Sequence, residues 1–272
     1  MNLYKSNHHR HKHSSYGIKS IDFYACQSSL KFWNSSYKVL SACFILILCI
    51  LLDCVWVSIA VIVTTGLVNL LVNKVSAGDY IDFLKIPIAF LMLGCIVIVF
   101  GISKNPVGDY NIFLFGGYLY FTKTSIGQAL ALFFKVMGAV SVMYLLALST
   151  PVGEVIMVLK KAHVPDVVVE LMNMIYRFIF ILAEVHANMK IAAMARLGYI
   201  DFKTSCFSFG QIGGNLFILS LQKANTYYDA MVSRGYEGNF PFWEEQKSVK
   251  IWQIGIVAAY TGSLLVLYIL VK

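Results

Sequence analysis

Charge is what this sequence has least of. Asp, Glu, Lys and Arg make up 13% of its 272 residues, about half the share with which a water-soluble domain coats its surface, while 58% of positions are hydrophobic. With a mean hydropathy of +0.71 the chain is excluded from the soluble globular class. Several chemistries are missing too. No G-x-x-x-x-G-K-[ST] loop is present to cradle a nucleotide phosphate, so the chain is not its own ATPase. No H-E-x-x-H, G-x-S-x-G or intramembrane carboxylate pair supplies residues for a protease, an esterase or a simple proton relay. The six cysteines form no C-x-x-C and have no histidine at zinc spacing, so they set neither a metal site nor a disulfide framework. Cys43, Cys49 and Cys95 lie inside apolar runs, where a thiol packs as a small hydrophobe. The first few dozen residues lack the apolar stretch of a cleavable leader, so insertion is expected to begin at the first membrane helix.

What is present is a series of long apolar runs. Val39 to Leu52 and Val55 to about Val72 read as a tight helical hairpin with Asp53 at its tip. Leu84 to about Ile102, Gly127 to Leu148 and Ile251 to Val271 follow. A full span needs roughly 20 residues; the first run falls short, and Phe32, Trp33 and Tyr37 extend it into the interface. The expected fold class is therefore an all-α integral membrane protein with about five transmembrane helices, placed in the cell membrane. The net charge of +8 reports loop orientation and anionic lipid, not nucleic acid. Lys5, Arg10, Lys12, Lys19, Lys31 and Lys38 precede the first span, and Lys74 and Lys85 bracket the second loop, which places the N-terminus inside and the C-terminus outside. Residues 105–124, rich in Gly, Tyr and Phe, are expected to form an ordered interfacial loop on the outer side.

The stretch from Thr150 to Lys250 is different: apolar at many positions, yet laced with both signs of charge. Pro151 and Pro165 suit first helical turns, and Gly198 and Gly235 suit positions just past helix ends, so three amphipathic helices are predicted. On the second, Glu170, Asn173, Arg177, Glu184 and Asn188 form one narrow wet stripe; on the third, Asn215, Gln222, Thr226, Asp229 and Ser233 do the same. The domain plan is thus a basic cytoplasmic segment 1–38, a four-helix transmembrane region 39–149, a cytoplasmic region 150–250 and a final membrane helix 251–272. Lys135 is expected to extend its ammonium to the nearer interface, and Asp53 to be solvated. His8, His9, His11 and His13 are interrupted by Arg10 and Lys12, which repel a cation, so a basic tail is expected there, not a metal site.

Two of the predicted helices end in related triplets: Ala195-Arg196-Leu197 and Ser233-Arg234-Gly235. With Ile21-Asp22-Phe23-Tyr24-Ala25, Leu148-Ser149-Thr150-Pro151, Val164-Pro165, Glu170-Leu171-Met172 and Ile175-Tyr176-Arg177-Phe178, these fall in the order seen in one family. Over residues 21–271 the chain resembles the transmembrane T component of energy-coupling factor transporters, in its cobalt-type CbiQ branch. The resemblance implies a protein that catalyses nothing and holds no cofactor. It implies cytoplasmic coupling helices whose ends, at Ala195, Arg196, Leu197, Ser233, Arg234 and Gly235, dock two cytoplasmic ATPase subunits. It also implies a substrate-binding S component in the membrane, which selects cobalt or, alternatively, nickel or a vitamin. Leu197 stands where many relatives carry Gly or another small residue. The rival reading, a self-contained secondary transporter, needs midplane polar groups or paired broken helices, and the sequence shows neither.

Overall fold

The computed structural model describes residues 21–103, 110–114, 117–237 and 247–271. Among them are nine α-helices: α1 (Ile21–Gln27), α2 (Ser35–Leu51), α3 (Val55–Leu71), α4 (Ala77–Val99), α5 (Lys123–Ser149), α6 (Val152–Lys161), α7 (Asp166–Ala195), α8 (Phe202–Val232) and α9 (Ile251–Val271). The chain divides into two compact units, one holding Ile21–Pro165 and Trp243–Lys272, the other including Asp166–Phe242. The all-α membrane architecture holds. In place of the loop expected at 105–124, however, β1 (Gly101–Ser103), β2 (Tyr110–Leu114) and β3 (Gly117–Phe121) pair antiparallel in the order β1-β3-β2.

In the first unit α4, α5 and α9 are long and apolar enough to cross a bilayer, and α2 and α3 are shorter apolar helices of 17 residues each. Seventeen residues span about 25 Å at 1.5 Å per residue, so this pair matches only a thinned hydrocarbon core. Asn34, in extended conformation, starts α2 by accepting from the Tyr37 N–H at 3.1 Å. Asp53, at φ 43°, makes the turn into α3, as the hairpin reading required. Two expected boundaries shift toward the polar side. α2 begins at Ser35 and α4 at Ala77, because the polar first turns find partners: Ser35 Oγ donates to Glu154 Oε2 at 2.5 Å, and Tyr24 hydrogen-bonds Asp79.

Helix α5 is the hub of this unit and packs on α2, α3 and α4. Its contact with α3 is close because Gly138 has no side chain: a Cβ there would stand 3.0 Å from Cys49 Sγ and 3.5 Å from the Ser58 carbonyl. Small residues at helix crossings are how membrane helices gain van der Waals contact when lipid removes the hydrophobic drive to associate. The core around that crossing contains Ala42, Ile45, Cys49, Val57, Val61, Val142 and Leu264. Nearer the basic end, Ser28 donates to Asn73 Oδ1 at 2.6 Å and Asn73 donates to Asn69 Oδ1 at 2.8 Å, a buried polar chain that ties the segment after α1 to the end of α3.

The membrane unit is closed by a charge cluster. Lys38, 6% exposed, donates to Glu154 Oε2 at 3.2 Å and to the Ser149 carbonyl at 3.2 Å. Lys247 reaches Glu154 Oε1 at 2.6 Å, and Ser35 donates to Oε2 at 2.5 Å. Asp22 Oδ1 accepts from the Val152 N–H at 3.2 Å, a carboxylate at the N-terminus of α6 where the helix dipole favours it. Burial pushes the Glu154 carboxyl up, but the hydrogen bonds from Lys247 and Ser35 and the charge of Lys38 outweigh it and hold the group below its ordinary value. A carboxyl depressed in the folded state stabilises fully above its unfolded value, near 4.5, and that contribution disappears as pH falls through the lower folded value. The thermal midpoint of the purified protein in detergent should therefore be flat near neutrality and drop below about pH 4.5. Glu154→Gln should flatten that acid limb and cost about 3–5 kcal/mol at neutral pH, since Lys38 loses its counter-charge while buried. An unchanged acid limb in the variant would assign the pH dependence to other carboxylates.

Candidate docking ends of the two long helices

Helices α7 and α8, of 30 and 31 residues, form an antiparallel pair. Three contacts along it fix the register: the Tyr236 hydroxyl donates to Glu170 Oε1 at 2.5 Å, the Phe178 and Tyr227 rings meet edge to face at 4.9 Å, and Ser208 Oγ donates to the Gly198 carbonyl at 2.8 Å. Arg177 lies 5.5 Å over the Tyr227 ring. The turn between the helices starts α8 with a capping box in which Asp201 and Thr204 satisfy each other's backbone N–H groups.

Both helices stop in the same way. At the end of α7 the Gly198 N–H bonds the Ala193 carbonyl at 2.9 Å and the Leu197 N–H bonds the Met194 carbonyl at 3.0 Å. At the end of α8 the Tyr236 N–H bonds the Met231 carbonyl at 3.1 Å and the Gly235 N–H bonds the Val232 carbonyl at 3.0 Å. These are paired Schellman closures, with the left-handed residue at Leu197 (φ 60°) and at Gly235 (φ 81°). The expectation for Gly235 holds. Gly198 does not take the left-handed position; that falls to Leu197, and Gly198 follows it for want of space, since a Cβ there would meet Ser208 Oγ at 2.5 Å and the Ala193 carbonyl oxygen at 2.9 Å.

The triplets Ala195-Arg196-Leu197 and Ser233-Arg234-Gly235 are exposed throughout. Neither Arg196 nor Arg234 forms an ion pair with any described residue, so two planar guanidinium forks project at helix C-termini, where the dipole favours cations. The structure does not bring them together. In an antiparallel pair the two ends lie on the order of 40 Å apart at 1.5 Å per residue, too far to grip one small ligand. Between them Val167, Leu171, Ile175 and Ile179 form an exposed apolar stripe at steps of four on α7, and Phe217, Leu221, Tyr228 and Val232 are exposed on α8.

Other expectations are corrected or refined. Glu170 is not part of the wet stripe: it is 8% exposed, taken by Tyr236. Asn173, Arg177, Glu184 and Asn188 are exposed as expected, as are Asn215, Gln222, Thr226, Asp229 and Ser233. Lys135 does reach for the interface, but to a partner, Asp53 Oδ1 at 2.8 Å, while Asp53 stays 75% exposed. All six cysteines are free. His163 is exposed at φ 61°, where it closes α6 with the His163 N–H bonding the Lys160 carbonyl. No three His, Cys, Asp or Glu side chains converge as metal ligands among the described residues, and the histidines of the N-terminal tail lie outside those residues. Sequence reasoning missed the Lys38, Glu154 and Lys247 cluster. Its one signal was a lysine at the margin of an apolar run.

Three long apolar helices, two shorter ones and exposed amphipathic helices make this a multi-pass membrane protein. A family model described as cobalt transport protein, CbiQ, matches residues 27–249, and the chain belongs to that family of membrane transport components. It is 29% identical to an uncharacterized protein of Methanocaldococcus jannaschii over 93% of both chains. It is 27% identical to the cobalt transport protein CbiQ of Salmonella typhimurium over 61% of this chain and 75% of that one. It is also 29% identical to a putative fused cobalt transport protein CbiMQ of Methanocorpusculum labreanum, over 66% of this chain and 30% of the other.

A leucine in the left-handed region costs about 1–2 kcal/mol. Leu197→Gly should therefore raise stability by about 1 kcal/mol and slow exchange of the Gly198 amide, which donates to Ala193. Gly198→Ala should lower stability by about 1–3 kcal/mol, because one of the atoms it meets is backbone and cannot swing away. Thermal unfolding in detergent with hydrogen exchange at residues 193–198 reads both, and a destabilised Leu197→Gly variant would show that this end is held by contacts of the leucine side chain instead.

Proposed function

We propose that the chain is the non-catalytic transmembrane coupling subunit, the T component, of an ATP-driven energy-coupling factor importer for cobalt. The observation that carries this reading is the pair of equivalent helix ends, each presenting an exposed arginine with no ion pair to any described residue, set on the order of 40 Å apart on one stiff hairpin. Two separated, equivalent sockets suit two separate ATPase subunits. The exposed apolar stripes between them suit further protein contact, because monomeric proteins seldom leave such faces to water. Family membership supports cobalt as the cargo, and the name of the fused relative supports a second membrane component that captures it. In this reading ATP-driven movement of the two ATPases is transmitted through α7 and α8 to the membrane partner, and the region 150–250 lies in the cytoplasm.

Arg196→Ala and Arg234→Ala should each weaken ATPase recovery by about 2–5 kcal/mol, since each leaves a partner carboxylate unpaired at an interface. The double variant should lose assembly and ATP-dependent cobalt uptake. Lysine at either position should rescue poorly, lacking the bidentate fork. Normal recovery and uptake in the double variant would reduce these ends to plain helix stops. For the placement of 150–250, a variant whose only cysteine is Cys206, exposed on α8, should resist a membrane-impermeant thiol reagent in intact cells and react after permeabilisation. Labelling without permeabilisation would invert the topology.

A further inference from the structure

Between α2, α3, α5 and α9 the membrane unit forms a half-open cavity of about 240 Å³. It starts at Trp33 and Lys38, at the basic end of the spans, and runs past Ala42 and Ile45 to Thr64 and Tyr260. The hydroxyls on its wall are already spent within the protein. Thr64 Oγ1 donates to the Ala60 carbonyl at 2.8 Å and lies 2.7 Å from the Tyr260 hydroxyl; Thr65 donates to the Val61 carbonyl at 2.7 Å, and Ser41 to the Lys38 carbonyl at 2.9 Å. Water held in a cavity needs two to four polar partners, and this wall is too apolar to supply them. Hydrocarbon suits it, and the helices that form it stand in hydrocarbon.

The mouth is built for a headgroup of the opposite sign. Lys247 donates to the Lys31 carbonyl at 2.7 Å, which gathers Lys31, Lys38, Lys247 and Lys250 around the start of α2 and α9. Among the described residues, two carboxylates face this group: Glu154, with both oxygens engaged, and Asp22, which accepts from the Val152 N–H. Lys31 and Lys250 are exposed and make no ion pair with any described residue. Trp33 and Trp252 meet edge to face at 5.3 Å beside them, the residue type that marks the level of lipid headgroups. We propose that this cavity binds one acyl chain of an anionic phospholipid, whose phosphate is held by Lys31 and Lys250.

Trp33 lines the cavity and reports on it. In the full chain with Trp56, Trp243 and Trp252 replaced by phenylalanine, Trp33 fluorescence would be followed in bilayers containing increasing fractions of brominated-acyl phosphatidylglycerol or brominated-acyl phosphatidylcholine. Half-maximal quenching is expected at a roughly fivefold lower mole fraction of the anionic lipid, the effect of about one lysine contact at a membrane surface. Lys31→Glu with Lys250→Glu, both at exposed positions, should bring the two curves together. Ala42→Leu, which fills the cavity, should abolish quenching at low fractions of either lipid. Superimposable curves in the protein with both lysines would mean surrounding bulk lipid only and overturn the site. Undiminished low-fraction quenching in a folded Ala42→Leu variant would overturn it as well, and the lysine variants decide the matter if Ala42→Leu fails to assemble.

Discussion

Glu154 pairs with two ammonium groups drawn from opposite ends of the chain, Lys38 near the first span and Lys247 just before the last. A charge moved out of water is tolerated only when its partner is close and its remaining hydrogen bonds are filled. Here both carboxylate oxygens are engaged, by Lys38, Lys247 and Ser35, and Lys38 also reaches the Ser149 carbonyl at the end of α5. The start of α2, the end of α5, the first turn of α6 and the approach to α9 therefore converge on one carboxylate. Helix α6 is fixed at the point where the chain leaves the apolar spans, and its first backbone N–H is capped by Asp22 of α1.

The spans themselves are held more lightly. Many of their large apolar side chains face outward, as a lipid solvent permits, and the packed interior is a narrow seam around Cys49, Val57, Val61 and Val142. In lipid the association of helices depends on close contact and on hydrogen bonds that water cannot compete for. Gly138 against Ser58 supplies the first, and the chain from Ser28 through Asn73 to Asn69 supplies the second. A seam of this kind leaves room beside it, and the cavity between α2 and α9 is that room.

In the α7–α8 hairpin the balance is reversed. Its two helices touch through a few specific contacts at Glu170, Phe178 and Gly198 and leave most of their apolar surface uncovered. The result is a rod with two like closures, which keeps its ends far apart and leaves Arg196 and Arg234 exposed. Length supplies the separation, and the left-handed residue at each closure turns the chain sharply so that the arginine just before it stays at the tip.

The apolar runs, the Asp53 turn, the short and long amphipathic helices and the two arginine-bearing stops were legible in the sequence, because each depends on signals within one or two helical turns: a run of hydrocarbon, a proline, a glycine, a period of about four. Family membership was legible in the same short motifs. The tertiary structure decided the rest. It buried Glu170 against Tyr236, gave Lys135 to Asp53, put the left-handed conformation on Leu197 so that Gly198 could clear Ser208, and turned part of the expected 105–124 loop into paired strands. Above all it joined Lys38 and Lys247 to Glu154, partners separated by most of the chain. Periodicity and composition record what a residue wants from its neighbourhood, whereas a charge pair or a close backbone approach depends on which distant segment the fold delivers to it.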